Sequence, residues 1–573
     1  RTTGQPMTED NYKQSGWANP NPWGWPSEKP RHTFSPGYNS GGNISIAARE
    51  DIRIQNTSGT SMVSYLNADA WDEGVEYTYF GNPDSEERVT VWAASYGGDY
   101  RGPSAQGIAT MGGGNILLST GGNFFGQVGT FGQGDLSVSA GGNIDGMYLS
   151  NEGSLSLLSM GSIGSMSDDQ FISAFDTQIS MIAQGDITLA YVMNPTIAKD
   201  GFNADDEWDL KYTQETSLSM SARNGSIFLT SEKEDTRFNL LPPNLEMAAG
   251  LDVVFQNDYY MPPAESGKLS ITAGRDITGN EGAGNLFMSD ADPDDIYNKH
   301  LPPDGSPYVT QMDDITALHA AVPVHLSDDP ENSGLVKAGR DISGIGFSFP
   351  MAATISAGQD IVNLDYRGQN LRPSDTTIIY AGRNFSYEAP KGDSSDEYVQ
   401  IGGPGLSVIQ AADSIDLGTS PGIQIIGSGL NQNLPEGDNH LMVIAGLSSA
   451  PDLSGLDLFF NGLRQASADW AQAWENGDET LADEIVAQAR ETLIEELLGG
   501  TDPAISGNIN MVNSKIFTSG AGGNIYTLAR GEINVGLSAI AQPPILVDIV
   551  SEDKESGIYT VNGGAIKIYA RED

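Results

Sequence analysis

Apolar and polar positions alternate along much of the chain, and the alternation is punctuated in a recurring way. A short run with apolar residues at every second place is followed by a small residue, Gly, any residue, Asp or Asn, and then Ile or Phe. The pattern reads LSITAGRDITG at 269–279, LSVSAGGNIDG at 136–146, ISIAAREDIRI at 44–54 and ISMIAQGDITL at 179–189. Shorter copies are VKAGRDISG at 336–344, ISAGQDIVN at 355–363 and IIYAGRNFSY at 378–387. Late copies are GGNIYTLARGEINV at 522–535 and GGAIKIYA at 563–570. A period of two is the signature of a strand with one buried face.

Two spacings set the geometry. The first apolar residue and the one after Asp/Asn stand eight apart in Ile44/Ile52, Ile116/Phe124, Leu136/Ile144, Leu155/Ile163, Ile179/Ile187, Leu269/Ile277 and Ile525/Ile533. Successive copies then follow at 20, 19 and 24 residues along Phe124, Ile144, Ile163 and Ile187, and at 19 and 24 along Ile342, Ile361 and Phe385. A short strand, a tight corner, a second strand and a return fill such a repeat. That is one coil of a parallel β-helix. One coil cannot bury its apolar side, whereas coils stacked at about 4.8 Å pair their backbones and share a core. Gly274 or Gly358 is expected to supply a positive φ at the corner. Asp276 or Asn384 is expected to bond backbone amides there as in an Asx-turn. A leucine-rich repeat would need regularly spaced Leu and Asn, and a calcium β-roll a nine-residue recurrence; neither is present.

The repeat divides the chain. Residues 1–40 carry Trp17, Trp23 and Trp25 among Pro20, Pro22, Pro26 and Pro30 and read as an extended segment. Residues 41–448 are expected to form a single β-helix with insertions at about 56–110, 191–215, 231–266, 284–334 and 388–402. A helical insertion is expected at 449–505. There, 462–499 break the β pattern, with Leu481, Ile485, Ala489, Leu493 and Leu497 four apart, Asp478 as N-cap and Gly499–Gly500 as stop. Upstream, Ala466, Trp470, Ala473 and Trp474 predict a first helix ending at Asn476–Gly477. The β-helix is expected to continue over 506–573, from Gly507–Met511 onward.

Composition narrows the function classes. Gly accounts for 69 of 573 residues, Cys is absent, and the net charge of −47 arises from a shortage of Lys and Arg, since charged residues are only 18%. Without Cys there is no disulfide framework, thiolate metal site or Cys nucleophile. The negative charge disfavours nucleic acid, and no apolar run is long enough to span a membrane as a helix. The chain starts at Arg1 without an initiator Met or signal peptide, and is expected to be a mature product or an excised piece.

Candidate chemistry is sparse. Asp290, Asp292 and Asp294 form D-x-D-x-D, followed by Asp295. An EF-hand would need Gly where Asp295 stands and Glu where Leu301 stands. A simpler oxygen-ligand calcium site is the expectation kept, against solvated acidic loops; a similar cluster is Asp200, Asn203, Asp205 and Asp206. Gly418-Thr419-Ser420-Pro421-Gly422 matches G-x-S-x-G but lacks the strand–turn–helix context of a nucleophile elbow. Asp413/Asp416 or Asp360/Asp365 would serve as acid and base only at a suitable separation; Asp413 reads more simply as a corner cap. The five His show no ligand spacing. Lys391-Gly392-Asp393 matches an integrin tripeptide too short to carry weight. Trp71, Tyr77, Tyr79 and Trp92 could stack on sugars or anchor their loops.

The repeats GGNISIAAREDI, LSVSAGGNI, LSITAGRDITG and VKAGRDISG resemble those of the filamentous haemagglutinin family of Gram-negative exoproteins. The resemblance covers about half of the chain, in pieces from residue 41 to 573. It implies a right-handed parallel β-helix, export by two-partner secretion, an extracellular or outer-surface location, and roles in adhesion, biofilm or contact-dependent inhibition. Departures are the missing amino-terminal secretion motif, which Asn19-Pro20-Asn21-Pro22 only echoes, and the helical hairpin. They make a carboxyl-side portion the expectation, and no toxin domain is seen. The reading is a non-enzymatic adhesin or structural protein, forming filaments or matrix through contacts between rods. Its expected partners are other copies of itself or surface glycans and cells, with no cofactor except calcium. The rival is a carbohydrate-active β-helix enzyme, a polysaccharide hydrolase or lyase, because fold alone does not decide function.

Overall fold

A computed structural model describes residues 42–54, 78–81, 88–91, 108–111, 113–165, 171–193, 212–230, 239–264, 267–280, 284–290, 319–324, 334–388, 397–429, 431–448, 453–494, 506–519, 523–535, 557–561 and 564–571. The chain divides into two compact units, residues 1–311 with 318–332, and residues 312–317 with 333–573. Each is a parallel β-helix, and the second carries an α-helical insertion.

In the first unit the predicted pairs become two columns. Ile44, Ile116, Leu136, Leu155, Ile179, Leu218, Leu245 and Leu269 stand in register on successive coils. Ile52, Phe124, Ile144, Ile163, Ile187, Ile227, Val253 and Ile277 form the second. Alternation aims one face of each strand inward, and Ile116, Leu136, Phe124 and Ile144 are fully buried. A third wall includes Ile108, Val128, Tyr148, Ile172 and Val192 in register. Long strands such as Ile144–Ser159 turn between walls at Gly146 and Gly153, both at positive φ.

Several stretches expected as insertions contain strands. Asn244–Ala249, Val253–Phe255 and Tyr259–Met261 form a coil inside 231–266. Its LEMAAGLDVVF keeps the corner pattern with Val253 in place of Ile or Phe, and Val fills the inward position equally well. Tyr191–Met193, Ile108–Met111, Leu286–Met288 and Val399–Gly402 likewise add wall strands within or at the edge of expected insertions. Thr78–Gly81 and Arg88–Val91 pair antiparallel as a hairpin.

The second unit repeats the design. Val336, Ile355, Ile379, Ile409, Val443, Thr527 and Ile568 line one wall. Ile342, Ile361, Phe385, Ile415, Ile509 and Ile533 line another. Between Ala445 and Ile509 the chain leaves the sheet for two helices, α1 (Leu453–Glu475) and α2 (Glu479–Ala489), the latter followed by a π-helical turn at Arg490–Ile494. Asp478 caps α2 as expected, accepting from Leu481 N–H at 3.1 Å.

The corners differ from expectation in two ways. Gly274 and Gly358 do not have positive φ. They are needed for close approach, because a Cβ at Gly274 would run into the Gly250 carbonyl oxygen, and one at Gly358 into that of Gly339. The Asp/Asn side chains, in turn, do not close their own turns. Each accepts the backbone N–H of the equivalent residue on the next coil. Asp51 Oδ1 accepts from Asn123 N, Asn123 from Asn143, and Asn143 from Ser162, at 2.8–2.9 Å. Ser162, Asp186, Ser226 and Asp252 continue the series to Asp276. In the second unit it runs from Asp341 through Asp360, Asn384, Ser414 and Asn508 to Glu532. Any short side chain with an acceptor oxygen serves, which is why Asn, Asp and Ser interchange.

Candidate functional site

Of the carboxylates that could have acted as acid and base, Asp413, Asp416 and Asp360 are engaged at corners, and Asp365 lies within the strand Ile361–Gln369. Asp413 Oδ1 accepts from Ser506 N at 2.9 Å and from Gly507 N at 3.2 Å, so it is a cap between coils. Asp416 Oδ1 accepts from Gly418 N at 3.0 Å within its own turn. Asp360 receives the Arg383 guanidinium and Asn384 N–H, and the Arg383 bonds, foremost, hold its pKa below the ordinary value. Asp365 lies 3.6 Å from Arg367. Asp360, held ionised in this way, is a poor general acid.

Ser420 is likewise committed. It is buried, and its hydroxyl donates to Leu417 O at 2.7 Å. The strand Gly422–Gly427 follows it, where a nucleophile elbow requires a helix.

Of the four proposed calcium ligands, Asp290 is described. It is buried, with Oδ2 at 2.7 Å from His319 Nδ1, and its carbonyl accepts from Ala320 N at 2.9 Å. Asp290 therefore ties two segments of the first unit together. Asp292, Asp294 and Asp295 lie outside the described residues, as do Asp200, Asn203, Asp205, Asp206, Lys391-Gly392-Asp393, Trp71, Tyr77 and Trp92. Tyr79 falls in the strand Thr78–Gly81. Among the described residues no cluster of three or more His, Asp or Glu could hold a metal ion.

The helical insertion forms the most developed surface feature. Its seat is legible in the strands beneath it. LSITA at 269–273 alternates, but LSVIQA at 406–411, LMVIA at 441–445 and IYTLA at 525–529 are apolar or bulky on both faces. Runs of that kind mark sheets covered on both sides. Val408, Met442 and Tyr526 stand in register on the outer face, with Ile444 beside Leu528 in the next outer row. All five are buried against Leu456 and Phe459 of α1. The same contact is fixed by a polar cluster. Asp457 accepts from Tyr526 OH at 3.0 Å and pairs with Lys567, whose ammonium lies 4.7 Å over the Tyr526 ring. The Lys567 bond, foremost, lowers the Asp457 pKa.

α1 starts earlier than the Ala466–Trp474 pattern suggested, because Leu453, Leu456, Phe459, Phe460 and Leu463 form its sheet-facing stripe. α2 turns Ala482 inward and leaves Leu481 exposed, so the predicted stripe of residues four apart drifts off the contact. Gly462 of α1 faces the Leu493 side chain of the π-helical turn, which a Cβ there would meet at 2.9 Å.

The solvent side of the hairpin carries Leu458, Leu481 and Val486, all exposed, and two tryptophans four residues apart. Trp470 and Trp474 stack with centroids 5.7 Å apart and planes within 19°, and Trp474 is 56% exposed. Among the described residues no helix is long and apolar enough to cross a membrane. No protein-family model, curated protein or solved structure matches this chain.

Proposed function

We propose that the chain is a secreted or cell-surface β-helical adhesin or structural protein of the filamentous haemagglutinin type. The observation that carries this reading is the helical hairpin. One of its faces is anchored by apolar burial and by the Asp457–Lys567–Tyr526 cluster, while the other offers a stacked tryptophan pair to solvent. Exposed aromatic planes on a fixed support provide stacking area for glycan rings with little ordering cost. The β-helix beneath supplies rigidity through repeated backbone ladders, and Arg or Asp residues at its corners hold adjacent coils together.

Binding of the labelled full chain to intact cells and to a panel of surface polysaccharides tests the proposal. Wild-type protein is expected to bind, and the Trp470→Ala/Trp474→Ala variant to bind at least about tenfold more weakly. No binding to any cell or glycan would overturn the adhesive reading. Release of new sugar ends during the same incubation would replace it with the carbohydrate-active enzyme.

A further inference from the structure

Charge is unevenly placed along the helical hairpin. From Gln465 to Ala489 the chain carries six carboxylates, Asp469, Glu475, Asp478, Glu479, Asp483 and Glu484, and no Lys or Arg. All six residues are exposed. Among the described residues none of the six forms an ion pair. Asp469 accepts from Gln465 Nε2 at 2.8 Å and Asp478 caps α2, and neither bond brings a positive charge. The seat of the same hairpin is different, because Asp457 there is answered by Lys567.

The uncompensated stretch includes the aromatic face. Asp469 directly precedes Trp470 and Glu475 directly follows Trp474, so all four fall within about 9 Å of helix axis. The two indoles stack on each other, and Trp474 keeps 56% of its surface in solvent. An exposed aromatic plane bordered by unanswered carboxylates restricts what can settle on it. A second copy would bring the same six charges, and an anionic polysaccharide or lipid surface would bring more of that sign, so the local field opposes each. A cation is favoured twice, by the carboxylates and by the ring face of Trp.

The form of the cation follows from the support. The main-chain groups of two helices bond within the helices, so a basic peptide could not add a strand here and would be held by side chains alone. A sugar ring instead lays its C–H face on an indole. With an amine on a ring carbon, the stacking face and the charge arrive on one rigid unit, which keeps the ordering cost low. We propose that the Trp470–Trp474 face binds a glycan of amino sugars with free ammonium groups, the rings stacking on Trp474 and the ammonium groups meeting Asp469, Glu475 and Glu479. This rests on the adhesive reading and names the ligand class of that face.

Calorimetric titration of the full chain with a glucosamine oligomer tests the proposal, at about pH 5.5, above the ordinary carboxylate range and low enough to protonate sugar amines. The N-acetylated oligomer, a uronic acid oligomer and oligolysine are titrated beside it. The glucosamine oligomer should bind at least about tenfold more tightly than its acetylated form, added salt should weaken it, and the uronic acid oligomer should not bind. Asp469→Asn with Glu475→Gln and Glu479→Gln keeps the aromatic face and should bring the amine form down to the affinity of the acetylated one. Trp470→Ala/Trp474→Ala should lose both. All five positions are exposed, so circular dichroism should remain that of the wild type. Equal binding of the amine and acetylated forms, or tighter binding of oligolysine than of the glucosamine oligomer, overturns the proposal. The two readings fail separately. Acetylated glycan or cells bound through the tryptophans without preference for the amine refute the ligand class alone, whereas a chain that binds no glycan and no cell refutes both.

Discussion

The Arg383 guanidinium grips the Asp360 carboxylate of the preceding coil at two points, Nε donating to Oδ1 at 2.7 Å and Nη2 to Oδ2. Arg275 holds Asp252 in the same way. Both arginines follow the corner Gly and precede Asp or Asn, in AGRN and AGRD. The arginine reaches back one coil while the neighbouring backbone N–H bonds the same carboxylate. A corner thus joins two coils through a charge and an amide at once.

This pairing predicts the response to acid. The Asp360 pKa is lowered from its ordinary 3.8, first by Arg383; that of Asp51 is lowered first by the Asn123 amide, and that of Asp457 by Lys567. A depressed folded pKa contributes stability above the unfolded value, and that stability is lost as pH falls through the folded one. Thermal unfolding should therefore shift to lower temperature below about pH 4. Asp360→Asn keeps the acceptor for Asn384 N but removes the charge, and should flatten part of this dependence. Because Arg383 is 54% exposed, solvent screens the pair, and its removal should shift the unfolding midpoint only slightly.

Asn143 Oδ1 accepts from Ser162 N–H, and Asn143 N–H in turn donates to Asn123 Oδ1. Asn143→Ala would leave the Ser162 amide without that acceptor at a partly exposed corner, at a cost of about 1 kcal/mol. Asn143→Asp should be tolerated, because Asp fills the same place at Asp51, Asp186 and Asp252. Equilibrium unfolding in urea distinguishes the two. An equal loss for both variants would mean that shape, not the acceptor, matters.

Gly358 offers a sharper test of the corner. A Cβ there meets the Gly339 carbonyl oxygen, a backbone atom that cannot swing away. Gly358→Ala should therefore destabilise by about 1–3 kcal/mol, despite a φ that Ala adopts readily. By contrast, Gly477 is at φ +74° with open space around it, and its replacement should cost about 1 kcal/mol from backbone strain alone. Urea midpoints for the two variants separate steric approach from conformational preference.

The columns were legible because one spacing dominates: eight residues from Ile44 to Ile52, and again from Leu269 to Ile277, place both on the same inward walls. The coil around Val253 is less visible because Val, shorter than the Ile or Phe of the other copies, stands at the inward position after the corner Asp. The corner bonds were misassigned for a deeper reason. A sequence motif shows Asp276 beside its own turn, whereas the partner amide of such a residue lies on another coil, 19 to 94 residues away along the chain. The seat of the hairpin was readable in principle from the doubly apolar LMVIA and IYTLA runs, which a search for alternation passes over. The exposed tryptophan pair follows from the i, i+4 spacing of Trp470 and Trp474, but which face of α1 met the sheet depended on Leu456 and Phe459.

Those two residues carry the last prediction. Leu456 and Phe459 bury their side chains against Val408, Met442, Ile444, Tyr526 and Leu528, with Leu453, Phe460 and Leu463 packed around them and Asp457 bonded beside them. Leu456→Ala should cost about 2–5 kcal/mol of that docking free energy, and Phe459→Ala a similar amount. The loss should be local, because the inward columns beneath do not involve either side chain. Limited proteolysis should then cut within 449–505 faster in these variants while the β-helix survives. Leu481→Ala, at an exposed position, should leave the cleavage rate unchanged. If Leu456→Ala instead unfolds the whole second unit in one step, the helices are part of its core and not an attachment to it.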